Sequence, residues 1–111
     1  MNGDDISQLL TDEYAAKILM AAYKHEVNAI SLSRDFEIPI AACYRRLRAL
    51  ESAGLIEMTT QKHGAHGKKI KNYRSLVKSA TISFAQGRMM ACLHYVDGEE
   101  KTLLLNAAAA P

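Results

Sequence analysis

The chain has 111 residues, of which 49% are hydrophobic and 23% charged, the composition of one ordinary soluble globular domain with a modest core. It holds no run of about 18 apolar residues, so no membrane-spanning helix is expected, and its two cysteines, Cys43 and Cys92, make no disulfide framework and suit a reducing cytoplasm. The formal net charge of +2 hides a division: residues 1–37 carry −4, residues 38–79 carry +7 and residues 80–111 carry −1, so one basic segment is available to a polyanion.

The opening MNGDDISQLL lacks the basic start and apolar core of a signal peptide. Residues 1–5 are expected to be frayed, and Ile6, Leu9 and Leu10 to form a short apolar turn. Thr11 is placed to cap a helix whose first turn holds Asp12 and Glu13, where acidic side chains oppose the helix dipole. Tyr14, Ile18, Leu19 and Ala22 give that helix one apolar face as far as Lys24. Residues 24–27 read as a linker.

The densest signal lies in residues 28–55, NAISLSRDFEIPIAACYRRLRALESAGL. Asn28 can cap a short helix, Ala29–Phe36, with Ile30, Leu32 and Phe36 as its apolar positions. Glu37-Ile38-Pro39 breaks the pattern, and proline suits the first turn of a new helix. Ile40, Cys43, Leu47 and Leu50 then recur at spacings of three and four, which predicts one buried face. The opposite face carries Ala41, Ala42, Tyr44, Arg45, Arg48 and Ser52, and Gly54 ends the helix. Two helices joined this tightly, the second apolar inside and basic outside, make a helix-turn-helix pattern. Small side chains at Ala41 and Ala42 would let the leading turn approach base edges, and Tyr44, Arg45 and Arg48 would reach bases or phosphates.

After Gly54 the period changes from helical to alternating. Residues 55–59 predict a strand, the polar QKHGAHGKK of residues 61–69 a hairpin tip, and residues 70–76 a returning strand with Tyr73 inward. In this hairpin wing Lys62, His63, Lys68, Lys69 and Lys71 would touch the DNA backbone or minor groove. Gly64 and Gly67 would permit the reversal and a close approach. GAHGKK lacks the strand-to-helix setting of a phosphate loop, so no nucleotide site is expected.

LTDEYAAKIL (residues 10–19), ISLSRDFEIPIAACYRRLRALESAGLI (residues 30–56) and KKIKNYRSL (residues 68–76) resemble the winged-helix regulators of the ArsR type, especially their archaeal-style relatives. The resemblance spans residues 10–76, 67 of 111 residues, and YRRLRALESAGLI is its most specific run. It implies a homodimeric prokaryotic transcription factor on double-stranded operator DNA. In such regulators the first helix often packs on its twin, which makes Leu10, Tyr14 and Ala21 candidates for either a dimer contact or the monomer core. Ala15 stands where the family commonly has arginine, and Glu37 where glycine is common. A non-glycine residue with positive φ costs about 1 kcal/mol, so the turn either differs or tolerates strain. The family's cysteine-rich metal motif is absent from residues 31–35.

Residues 80–111 depart from members that end in a helix. Turns at Gln86-Gly87 and Asp97-Gly98 separate three apolar runs, residues 80–84, 89–96 and 101–105, which predicts a β meander. Met89, Cys92, Leu93 and Val96 also fit a helix. Residues 106–111 read as an alanine-rich frayed end. The expected fold is therefore α+β: a winged helix-turn-helix over residues 1–79 and a C-terminal antiparallel β extension over residues 80–111, serving dimerisation or an effector that the residues do not identify.

No cofactor is expected. Cys43 falls on a buried face, where a free cysteine acts as a small hydrophobe. Cys92 and His94 would share one strand face beside Met90, and two subunits could offer two thiolates and two imidazoles to a tetrahedral ion. Cys-x-His alone is a weak signal, and ordinary packing is the expectation there; His63 and His66 are expected in solvent or on phosphate. No serine–histidine–acid set or carboxylate pair stands at a spacing that suggests catalysis, so no enzyme is expected. Two classes remain: a DNA-binding regulator, and a winged-helix protein-interaction module whose basic face meets an acidic partner.

Overall fold

The structure is a computed structural model that describes residues 3–105. The expected fraying of residues 1–2 and of residues 106–111 lies outside it, whereas residues 3–5, also expected to be frayed, are helical. Among the described residues the chain forms four helices followed by five strands, an α+β architecture compatible with the expected winged helix.

The predicted apolar turn at the start is a complete helix, α1 (Gly3–Thr11). Thr11 ends α1 instead of capping its successor, its hydroxyl donating to the Ser7 carbonyl (2.9 Å). The cap of α2 (Glu13–Lys24) is Asp12, whose Oδ2 accepts from the Ala15 amide at 2.8 Å. A carboxylate is the better cap here because it also meets the positive end of the helix dipole. α2 buries Ala15, Ile18, Ala21 and Ala22, so Ala21 belongs to the monomer core. The small alanines let neighbouring backbones come close.

The stretch read as a linker is paired. Val27 and Tyr73 exchange both backbone hydrogen bonds (3.0 and 2.8 Å), stitching this segment to the hairpin. Asn28 caps α3 (Ala29–Phe36) by accepting from the Ser31 amide, and Ser31 Oγ accepts in turn from the Asn28 amide. The same Asn28 donates through Nδ2 to Asn72 on the hairpin (3.0 Å). Leu32 and Ala29 are the buried positions of α3, whereas Ile30 and Phe36 are exposed. The helix ends on Glu37 at φ 54°, ψ 35°, so the turn keeps the left-handed geometry without a glycine.

Pro39 opens α4 (Ile40–Ser52). At about 100° per residue its inward arc centres on Cys43 and Leu50, with Leu47 on one flank and Ala42 on the other. That placement corrects two expectations. Ile40 lies at the outer edge of the arc and is 44% exposed, and Ala42 is 4% exposed and faces the core. Gly54 follows at φ 76°, a left-handed conformation that only glycine adopts without a steric penalty.

β1 (Ile56–His63) and β2 (Lys69–Ser75) pair antiparallel, with Met58 opposite Tyr73 and His63 opposite Lys69. The hairpin is therefore longer than predicted. Gln61, Lys62, His63 and Lys69 are ladder residues, and the tip contracts to a short turn around Ala65–Gly67. At Gly64 a Cβ would lie 2.9 Å from Ile70 Cδ1, so the absence of a side chain there serves packing within the hairpin. Tyr73 is buried, as predicted.

The second sheet has the order β3 (Val77–Ala85), β4 (Arg88–Tyr95), β5 (Glu100–Leu104). Gln86 and Gly87 both take positive φ (55° and 76°), which suits a two-residue hairpin turn with Ala85 opposite Arg88. The meander, not the helical alternative, is thus observed. The two sheets meet at Leu76, whose amide donates to Leu55 and whose carbonyl accepts from Val96. The Ser75 hydroxyl accepts from the Val77 amide (3.0 Å) and fixes the corner. One cluster of buried side chains runs from Ile6 and Ile18 through Leu50 and Leu55 to Val77 and Leu93, so the C-terminal sheet shares the helices' core.

Candidate nucleic-acid interface

Arg48 of α4 and three lysines of the hairpin fall along one groove. A cleft of about 530 Å³ lies between them, lined by Tyr44 and Arg48 from α4 and by Lys68, Lys69 and Lys71 from the hairpin. His66 and one acid, Glu51, share the lining. Ala41 and Arg45 are exposed on the outer side of α4, and Lys62 and His63 are exposed on β1. Ala42, expected among the outward residues, is buried and cannot meet a ligand.

Helical period explains this arrangement. Ala41, Tyr44, Arg45 and Arg48 occupy one arc about a third of the circumference wide, the arc opposite Cys43 and Leu50. Tyr44 is 51% exposed although aromatic, and it stands in the wall of the cleft. Among the described residues none of Arg45, Arg48, Lys62, Lys68, Lys69 and Lys71 stands in an ion pair. Their charges are left to solvent or to a ligand, and a concave wall of unpaired cations concentrates an anionic partner.

Two other arginines of the basic segment are committed to the fold. Arg46 forms a bidentate pair with Asp12, Nε to Oδ2 and Nη2 to Oδ1, both 3.0 Å, and its guanidinium lies 5.7 Å from the centre of the Tyr14 ring. The Arg46 hydrogen bonds hold the Asp12 carboxyl below its ordinary range, with the Ala15 and Tyr14 amides adding to the effect against partial burial. Arg74 donates to the Tyr23 carbonyl at the end of α2 (3.2 Å). Sequence reasoning missed the Arg46–Asp12 pair because the residues stand 34 apart. The available signal was an arginine on the inward arc of α4, between Ala42 and Leu50.

Cys43 is fully buried, its thiol directed at the Ile38 carbonyl (3.8 Å), and burial pushes that thiol up from its ordinary titration range. It is a core side chain. Cys92 and His94 lie on one face of β4, as predicted, and the structure adds Glu100 from β5 to them. No known family model matches the chain, and no curated protein does. Among the described residues no helix is long and apolar enough to cross a membrane.

Proposed function

We propose that the chain is a winged helix-turn-helix regulator that binds double-stranded DNA as a homodimer. In this reading α3 and α4 are the helix-turn-helix and β1–β2 is the wing. Ala41, Tyr44, Arg45 and Arg48 enter the major groove, while Lys62, His63, Lys68, Lys69 and Lys71 hold phosphates beside it. The observation that carries the reading is the shared groove: Arg48 of α4 and Lys68, Lys69 and Lys71 of the hairpin line one cleft, which a duplex backbone could occupy while the exposed face of α4 reads the adjacent bases.

The homodimer rests on a second face. Leu10, Met20 and Tyr23 form with Ala80 and Ile82 an apolar cleft of about 380 Å³ between the N-terminal helices and β3. Met20 is 60% exposed, and Phe84, on the same face of β3 as Ile82, is 77% exposed. An apolar surface of this continuity marks an interaction site. A two-fold contact there would present two α4 helices to two half-sites of an operator.

Binding to a labelled duplex, followed by fluorescence anisotropy over a salt series, tests the reading. We expect affinity to fall log-linearly with salt and to be lost in the Arg45→Ala, Arg48→Ala variant. Arg45→Ala should cost about 1–3 kcal/mol on a preferred sequence if it reads a base, whereas Lys69→Ala should weaken all sequences alike and lower the salt slope by about 1. No binding at low salt would overturn the proposal and favour an acidic protein partner for the same groove.

A further inference from the structure

We propose that Cys92, His94 and Glu100 form a binding site for a zinc-class divalent transition-metal ion, separate from the groove of α4 and the hairpin. Cys92 and His94 stand two apart on β4 and so project from the same face of the sheet, away from the buried Ala91 and Leu93. The register sets Glu100 of β5 directly opposite His94. Three donors of different chemistry thus converge through local β geometry, with their ligand atoms all within 4.8 Å of one another.

The distances suit one ion. Zinc–sulfur and zinc–nitrogen bonds of about 2.3 and 2.0–2.1 Å at a tetrahedral angle put the two ligand atoms about 3.5 Å apart. Cys92 Sγ and His94 Nε2 are 3.5 Å apart, and Cys92 Sγ and Glu100 Oε1 are 3.8 Å apart. On its other side the His94 ring meets Glu100 through Nδ1 (3.3 Å to Oε1). The same oxygen cannot bond to Nδ1 and bind an ion held on Nε2, so uptake of an ion turns the Glu100 carboxylate from the ring to the metal.

The donor set selects the ion. A thiolate and an imidazole favour zinc, cobalt or copper(I) over magnesium or calcium, which take oxygen donors. Cys92 binds as the thiolate, so each ion taken up displaces the thiol proton to solvent. The cluster is half-buried to exposed, which leaves the remaining coordination position open to water.

Cobalt(II) titration of the full chain, without DNA, is the test. We expect one cobalt per chain, a thiolate-to-cobalt charge-transfer band, and displacement of that band by one equivalent of zinc. Cys92→Ser should abolish the band, and Glu100→Gln should weaken binding about 10–100-fold. Cys43→Ala should leave the band intact, since that thiol is buried in the core. His94→Gln, checked for folding by circular dichroism, should lower affinity without removing the thiol. A wild-type chain that shows no band, or a band that survives Cys92→Ser, would overturn the site and leave the proposal for α4 and the hairpin unaffected.

Discussion

Replacing Asp12 separates two tasks that one carboxylate performs. Oδ2 accepts from the Ala15 amide at the start of α2, and both oxygens accept from the Arg46 guanidinium of α4. Losing an N-cap costs about 1 kcal/mol. Exposed ion pairs contribute about 0.2–1 kcal/mol; this one belongs at the upper end, because it is bidentate and each side chain is only 28% exposed. Asp12→Ala should therefore destabilise the chain by roughly 2 kcal/mol, and Asp12→Asn, which keeps a capping oxygen but loses the charge, by about half as much. Arg46→Ala also loses the contact over the Tyr14 ring, about 0.5–1 kcal/mol more. Urea denaturation of the wild type, Asp12→Asn, Arg46→Ala and the double variant closes a thermodynamic cycle. Because the folded carboxyl titrates below its unfolded value, the pair stabilises fully above the unfolded value and is lost as pH falls through the folded one. The gap between wild type and Asp12→Asn should therefore be full at pH 7 and shrink in acid. A coupling energy below about 0.3 kcal/mol at pH 7, within the scatter of independent sites, would refute the idea that this pair fastens α4 to α2.

Two further predictions follow from exposed features. Glu37 sits at φ 54°, where a side chain costs about 1–2 kcal/mol and glycine gives back about 0.5–1 kcal/mol through its freer unfolded chain. Glu37→Gly should accordingly raise the melting temperature slightly, and a lower one would mean that the Glu37 side chain makes a stabilising contact of its own. Phe84→Glu should leave the fold of the single chain intact, since that ring is 77% exposed, and, if the proposed dimer forms through β3, should shift the sedimentation coefficient from dimer to monomer. Equal sedimentation of both proteins as dimers would place the contact elsewhere.

The parts of the fold visible in the sequence are those set by local period and turn chemistry. Cys43, Leu47 and Leu50 on one helical face, the cap at Asn28 and the Gln86-Gly87 turn all follow from neighbours within a few residues. What escaped depends on partners distant in the chain. Ala42 faces inward because the inward arc of α4 is centred toward Leu50, which shifts Ile40 outward and Ala42 inward. The α2 cap is Asp12, not Thr11, because only Asp12 also meets Arg46. Residues 61–63 look like a loop by polarity, yet the ladder with residues 69–71 holds them in the strand. In the same way, Glu100 joins Cys92 and His94 only once the Asp97-Gly98 turn has set the register of β4 on β5.

α2 connects these features mechanically. Its N-terminus is pinned to α4 through Asp12 and Arg46, its buried alanines pack in the core, and its C-terminus is held by Arg74 of β2. Its remaining face, with Met20 and Tyr23, borders the apolar cleft against β3. In the proposed regulator, a helix that carried both a dimer surface and a rigid link to the DNA-reading helix would convert subunit geometry directly into half-site spacing. A loosely attached α4 would lose that spacing, since each helix could then turn independently. Within the proposed regulator, the Asp12–Arg46 pair thus matters less for its modest contribution to stability than for setting the angle between the interface and the groove-facing arc. Arg46, on the inward side of α4, is held by this link, whereas Arg45 and Arg48 lie on the opposite arc and are exposed.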